Sequence, residues 1–97
     1  MTTYTRREIA LLLELDEPFV AELERERVIE IDAPDAEPGG YSERMLERVR
    51  VAHELVTELE VNVAGVAVIV RMREELLGAR RDLVALVREL RRRGIEL

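Results

Sequence analysis

The sequence predicts an all-α protein of four helices with one small two-stranded β ribbon. Three observations support this fold class. Apolar residues recur at spacings of three and four over most of the chain, residues that favour helix N-caps precede these segments, and prolines and glycines cluster at 34–40. With 97 residues, 47% of them hydrophobic and 37% charged, the chain has the size and composition of one ordered domain, or of a small domain with a helical extension.

The first two helices are predicted to be short. Thr5, followed three residues later by a glutamate, is a capping-box pattern, and the helix that it opens is expected to stop near Leu15. Asp16 suits the N-cap of the second helix. Pro18 is acceptable in the first turn because its missing N–H would be unpaired there. This second helix should continue to about Arg27.

A β ribbon is predicted after the second helix. Residues 28–31 alternate in polarity like a short strand, residues 32–40 form a loop, and Tyr41 returns as the second strand. Helix, turn, helix and ribbon in this order form the layout of a winged helix-turn-helix.

Two longer helices complete the chain. Ser42 caps a third helix that runs to about Glu60, and Asn62 caps a fourth that runs to about Arg93. The sequence therefore divides into a winged helical head, residues 1–60, and a long C-terminal dimerisation helix, residues 61–97.

The fourth helix carries two apolar stripes. One is a heptad seam formed by Ile69, Met72, Leu76, Ala79, Leu83, Leu86 and Leu90. The other consists of Val66, Val70, Leu77, Val84 and Val87. A single helix cannot hide both stripes against so small a domain, so we expect one to pack on the third helix and the other on a second copy of the chain. The residues predicted to form the coiled-coil-like dimer are Ile69, Met72, Leu76, Leu83, Leu86 and Leu90. The alternative is an intramolecular hairpin between helices three and four.

Charge is distributed unevenly along the chain. Residues 1–60 contain 16 acidic residues against 7 arginines, whereas residues 61–97 contain 5 against 8. The segment DEPFVAELERER, residues 16–27, occupies the position of a DNA-reading helix but carries five acids and two arginines. DNA binding depends on neutralising phosphates with cations, and its usual footprint is a basic surface. A nucleic-acid partner is therefore disfavoured.

Enzyme, cofactor and metal functions have no support in the sequence. The absence of cysteine excludes disulfides, thiol nucleophiles and zinc–cysteine sites, and the single histidine has no neighbour with which to form an acid–base or ligand pair. The longest apolar run, residues 63–70, is too short to span a bilayer, and no signal-peptide pattern opens the chain. We therefore expect a non-enzymatic cytoplasmic protein without a membrane partner.

Three segments resemble the MerR-type regulators: YTRREIALLL, GYSERMLERVRVAHEL and LEVNVAGVAVIVRMREEL. The last is most similar to the branch that includes the heat-shock repressor HspR and the chaperone modulator CbpM. DNA-binding members usually carry an Arg-Tyr pair in the second helix, where this chain has the acidic stretch 21–24, and basic residues in the ribbon loop, where it has Asp32, Asp35 and Glu37. These departures favour the CbpM family, whose members bind the J-domain of a DnaJ- or CbpA-type co-chaperone and restrain its work with Hsp70.

The resemblance and the charge together suggest where partners bind. J-domains of this kind carry a basic helix, so the acidic head is the expected contact surface. The residues predicted to bind the partner are Glu17, Glu22, Glu24, Asp32 and Asp35. Two alternatives stay open. One is a dimeric adaptor whose acidic head binds some other basic protein, and the other is a transcriptional regulator. In a regulator, the residues predicted to contact phosphates are Arg6, Arg7, Arg44 and Arg48.

Overall fold

The computed structural model describes residues 2–36 and 39–96, and Glu37 of the loop lies outside these ranges. The elements in chain order are β1 (Thr3–Tyr4), α1 (Arg6–Leu13), α2 (Glu17–Arg25), β2 (Tyr41–Ser42), α3 (Glu43–Leu59) and α4 (Val63–Arg92). The described residues form an elongated body of 53 × 35 × 20 Å. Four helices and one two-stranded antiparallel sheet confirm the predicted fold class at this level.

The N-terminal ends of α1 and α4 are capped by the predicted residues. The Thr5 hydroxyl accepts a hydrogen bond from the Glu8 amide at 3.1 Å, and the Glu8 carboxylate accepts one from the Thr5 amide at 3.0 Å. The Asn62 side chain accepts a hydrogen bond from the Gly65 amide at 2.7 Å. Each bond satisfies an amide that the helix itself leaves without a partner, so the local sequence fixes where these helices begin.

Asp16 and Ser42 stand at the N-cap positions of α2 and α3, but neither side chain accepts a hydrogen bond from its own helix within the described ranges. Ser42 instead donates to Asp32, through its amide at 2.7 Å and through its hydroxyl. The N-cap residue of α3 therefore bonds to the preceding loop.

The predicted second strand is present at Tyr41, but it pairs with a different segment from the one predicted. Thr3–Tyr4 lies antiparallel to Tyr41–Ser42, whereas residues 28–31 form no strand in the part of the chain that the structure describes. Val28 and Ile29 are adjacent in sequence, and both are 1% exposed. Their amides both donate to the Leu23 carbonyl oxygen, at 2.9 and 3.4 Å, and the preceding Arg27 has a φ of 59°, so the chain turns here at the end of α2. Core packing thus overrides the alternating pattern.

Gly40 lies where the loop meets the ribbon. Its backbone pairs with Ala33 in an isolated bridge, and a Cβ at this position would lie 2.8 Å from the Tyr4 carbonyl oxygen. Glycine lets the two backbones approach this closely. The returning strand is thereby brought onto the N-terminus of the chain.

One hydrophobic core joins all four helices. Its buried members are Ile9, Ala10, Val20, Leu23, Val28, Ile29, Tyr41, Met45, Val49, Val51, Ala52, Val66 and Val70. Only the last two come from α4. Helices α3 and α4 run antiparallel, because Arg44 near the start of α3 contacts Glu74, while the end of α3 leads directly into α4. The remainder of α4 after this contact, residues 75–92, is about 27 Å long.

This geometry separates the two apolar stripes of α4. The second stripe faces α3 in the hairpin, where Val66 and Val70 are buried. Farther along the same stripe, Leu77 and Val84 remain 40% and 42% exposed. The seam has no cover within the described residues. Its predicted dimerisation residues are exposed (Ile69, Met72, Leu76, Leu83 and Leu86) or partly exposed (Leu90). The intramolecular hairpin is therefore present, and it leaves the seam free.

Candidate partner-binding surface

The acidic residues predicted to bind a partner fall into two groups. Glu17 and Asp35 are exposed, Glu22 is half-buried, and none of the three forms an ion pair within residues 2–36 and 39–96. Glu24 and Asp32 are bonded inside the molecule. The second group therefore has a structural role that the sequence did not indicate.

Glu24 is not the free outward acid that the sequence predicted. Its carboxylate accepts a hydrogen bond from Arg6 at 2.7 Å, and its side chain is 29% exposed. The nearby Tyr41 hydroxyl, and after it the Arg6 guanidinium, hold the pKa of Glu24 below its ordinary value. The carboxylate thus ties α2 to the start of α1.

Asp32 braces the loop against the start of α3. Burial acts against its ionisation, but the two hydrogen bonds from Ser42 outweigh this effect and lower the pKa of Asp32. Glu24 lies near Tyr41, and Asp32 is bonded to Ser42. Both acids therefore contact strand β2. Glu17 lies at the opposite end of α2, about 10 Å from Glu24 along the helix axis.

The arginines considered for phosphate binding are mostly neutralised. Arg48 makes a bidentate pair with Glu74, with both N–O distances at 2.6 Å, and it also donates to the Val28 carbonyl oxygen at 3.1 Å. Arg44 donates to the same carboxylate at 2.9 Å. With Arg6 bonded to Glu24, three of the four arginines are paired; Arg7 is exposed and has no ion pair among the described residues.

Glu74 is the centre of this arrangement. Its side chain is 25% exposed, and that of Arg48 is 16% exposed. The Arg48 guanidinium, followed by Arg44, lowers the pKa of Glu74 to about 2, against the opposing effect of burial. Sequence reasoning missed Glu74. The spacing of Arg44 and Arg48 places them on one face of α3, but only the register of α3 on α4 shows which acid they meet.

A second acidic feature lies at the turn between α1 and α2. Glu14, Asp16 and Glu17 are exposed there and form no ion pairs in the described part of the chain; we call them the acidic turn. Glu14 adopts a left-handed backbone conformation, with φ of 56°. Just before it, Leu11 and Leu12 are 71% and 59% exposed. The turn therefore combines free carboxylates with two uncovered apolar side chains.

Residues 2–36 and 39–96 contain neither a membrane-spanning helix nor a cluster of metal ligands. No helix among the described residues is both long and apolar enough to cross a membrane. Across 2–36 and 39–96, no group of three or more histidine, cysteine or acidic side chains is arranged to hold a metal ion.

Comparison with known proteins identifies the family. The family model described as MerR HTH family regulatory protein matches residues 4–92, which include nearly all of the head and the whole of α4. No curated protein and no solved structure matches the chain. The match extends over most of the sequence and agrees with the four helices and small antiparallel ribbon. The chain therefore belongs to the MerR helix-turn-helix family of regulatory proteins.

Proposed function

We propose that this protein is a non-enzymatic chaperone modulator of the CbpM type, acting in the cytoplasm. Its acidic head binds the basic J-domain of a DnaJ- or CbpA-like co-chaperone and inhibits the activity of that co-chaperone with Hsp70. The observation that carries this proposal is the neutralisation of Arg6, Arg44 and Arg48 by carboxylates of the same chain.

Paired arginines are poor phosphate ligands. DNA affinity comes largely from the counterions released when free cations neutralise phosphates. To reach a phosphate, Arg48 would have to leave a bidentate, largely buried pair and its bond to the Val28 carbonyl. Removing one partner of such a pair leaves the other charge uncompensated. The head therefore keeps the helix-turn-helix shape, while three of the four arginines considered for phosphate binding are already paired and only Arg7 of these four is not, within the described residues.

The acidic turn fits a basic protein surface instead. Free carboxylates attract a positively charged partner and orient it during the encounter. Leu11 and Leu12 supply exposed apolar area beside these charges, and burial of apolar area favours protein–protein association. In this proposal Glu17, Glu22 and Asp35 contact the partner, whereas Glu24 and Asp32 hold the head in shape.

We further propose that the protein is a homodimer paired along the seam of α4. Residues 75–92 continue α4 beyond its contact with Arg44 and Arg48, and a helix in a protein gains most of its stability by packing its apolar face. The seam side chains are exposed by up to 71%, at Leu76. Pairing with a second copy as a coiled coil would bury them.

The decisive experiment titrates this protein with the purified J-domain of a co-chaperone from the same organism, followed by calorimetry at low salt and at physiological salt. We expect saturable binding that weakens as salt rises, because exposed charges are screened. Hsp70 ATPase stimulation by the full co-chaperone should fall in parallel. Absence of binding even at low salt would contradict the proposal.

A charge-reversal variant locates the surface. Lysine at all three positions of the acidic turn should weaken J-domain binding at least tenfold, which corresponds to about 1.4 kcal/mol. The matched control replaces three exposed acids of the C-terminal part, Glu75, Asp82 and Glu96, and changes the net charge equally. Equal losses in both variants would indicate attraction by net charge rather than a contact surface. Circular dichroism checks that both variants fold.

The second candidate is a transcriptional regulator, which family membership and the exposed Arg7 favour. A gel-shift assay with genomic fragments separates the two functions. Sequence-selective binding of duplex DNA that survives physiological ionic strength would replace the chaperone proposal.

A further inference from the structure

A groove runs along α4 beyond the start of α3. It has a volume of about 930 Å³. Its inner end is formed by Arg44 and Glu47 of α3 with Arg73 and Glu74 of α4. Its outer part, which we call the basic groove, is lined by Leu77, Arg80, Arg81, Val84, Ala85 and Arg88.

The basic groove continues the face of α4 that packs on α3. Val70 of this face is 4% exposed, and Leu77 and Val84 follow it at intervals of seven residues on the same stripe. Within the described residues α3 buries this face only as far as Val70, and Leu77 and Val84 are left 40% and 42% exposed. The face is therefore shaped to receive a helix that would extend the line of α3.

A second copy paired along the seam leaves the basic groove open. With the seam residues at heptad positions a and d, Leu77 and Val84 occupy position b, and Arg81 occupies position f. Positions b and f face away from the partner helix in a two-stranded coiled coil, whereas Arg80, at position e, lies at the edge of the seam. The apolar floor of the groove is thus not explained by the dimer.

The charge of the groove indicates what it receives. At the inner end Glu74 is bonded to two arginines, and Glu47 is bonded to Arg50 at 2.5 Å. In the outer part Arg80, Arg81 and Arg88 form no ion pair within the described residues. Free guanidinium groups beside an apolar floor favour a ligand that carries carboxylates beside an apolar stripe.

We propose that the basic groove binds an acidic amphipathic helix of another protein. The apolar side of that helix packs on Leu77 and Val84, and its carboxylates pair with Arg80, Arg81 and Arg88. The basic groove follows α4 from residue 77 to residue 88, about 17 Å, which suits a helix of about 11 residues. The groove and the acidic turn are separate surfaces of opposite charge, so a failure of binding at one leaves the other unaffected.

The test uses a fluorescent synthetic peptide of about 18 residues, long enough to form a helix on binding, with leucines at helical spacing and glutamates on the flanking positions. Fluorescence anisotropy measures its binding to the full chain at physiological salt. We expect saturable binding to the wild type and at least a tenfold loss in the Arg81→Glu/Arg88→Glu variant. The control variant, Arg25→Glu/Arg71→Glu, changes the net charge equally at exposed arginines outside the groove and should bind as the wild type does.

Two further measurements separate a built groove from nonspecific attraction. A scrambled peptide of equal composition has no apolar stripe and should bind at least tenfold more weakly, and Leu77→Gln should weaken the amphipathic peptide without changing the salt dependence of binding. Equal binding of both peptides, or equal losses in the groove and control variants, would overturn the proposal. Loss of self-association by the Arg81→Glu/Arg88→Glu variant in analytical ultracentrifugation would also overturn the proposal, because it would show that a second copy of the chain covers the groove.

Discussion

Replacing Glu74 by glutamine tests whether the pair with Arg48 holds the head to α4. Glutamine has nearly the same size and shape, so the packing around it is retained. The variant removes only the charge and one of the two oxygen acceptors. Arg48, with 16% of its side chain exposed, is then left without a full counter-charge in a largely buried place.

The pKa of Glu74 sets the expected magnitude. The bond from Arg48, followed by the bond from Arg44, lowers this pKa from 4.5 to about 2 in the folded chain. At about 1.36 kcal/mol per unit, the folded state favours the ionised form by roughly 3 kcal/mol. A quarter of the side chain is in contact with solvent, which screens part of the interaction. We therefore expect Glu74→Gln to lower the free energy of unfolding by about 2 kcal/mol at pH 7.

The effect should depend on pH in a defined direction. Since the pKa of Glu74 is depressed in the folded chain, the ionised pair contributes fully above the ordinary value of 4.5. The contribution is lost as pH falls from 4.5 towards 2, because the wild type then becomes protonated and resembles the variant. The difference between the two proteins should fall to less than half by about pH 3.

Urea unfolding followed by circular dichroism measures both quantities. All samples are compared at one protein concentration, because self-association would add to the apparent stability. The matched control is Glu75→Gln, since Glu75 is exposed on the same helix and forms no ion pair among the described residues. We expect that control to change the unfolding free energy by less than about 0.5 kcal/mol. Equal effects of the two substitutions, or a Glu74→Gln effect that is the same at pH 7 and pH 3, would refute the reasoning.

Three shorter predictions concern the cap, the ribbon and the seam. Asn62→Ala removes the side-chain acceptor at the start of α4 and should cost about 1 kcal/mol in urea unfolding; an unchanged midpoint would show that the cap is dispensable. Gly40→Ala places a methyl group 2.8 Å from the Tyr4 carbonyl oxygen and should lower the stability by about 1–3 kcal/mol, whereas Gly39→Ala, whose nearest contact is 3.4 Å, should cost clearly less. Leu76→Glu should convert a dimer to a monomer in analytical ultracentrifugation while the head stays folded, and a variant that remains dimeric would exclude the seam.

The helices were predictable because their signals are local. The periodic apolar residues and the caps at Thr5 and Asn62 act within one or two turns of the chain, and the structure places α1 and α4 within about two residues of the predicted bounds. The ribbon was not predictable in the same way. A strand of two residues has no periodicity, and the pairing of Thr3–Tyr4 with residues 41–42 is decided by how the whole head packs.

For the charged residues too, some properties follow from the sequence and others only from tertiary contacts. The acidic character of the head follows from composition, but the difference between free and bonded acids does not. Glu24 and Asp32 are tied to Arg6 and Ser42, residues 18 and 10 positions away in sequence. The pairing of Arg48 with Glu74 depends on the register of α3 on α4, which no local pattern specifies. The candidate surface therefore shifts towards the acidic turn once tertiary contacts are known.

Local pairing decides the choice between DNA and protein partners more strongly than net charge does. A head with 16 acids and 7 arginines repels DNA at long range, but this repulsion is screened over about 8 Å at physiological salt. An acidic protein with a few free arginines on the correct face could still bind phosphates at contact. Arg48 could make such a contact only after leaving Glu74, at a cost of about 2 kcal/mol, which offsets much of what a charge-assisted bond returns; Arg7 would meet no such cost, because it is exposed and forms no ion pair among the described residues. Basic polypeptides meet no such cost, because the carboxylates of the acidic turn are already free.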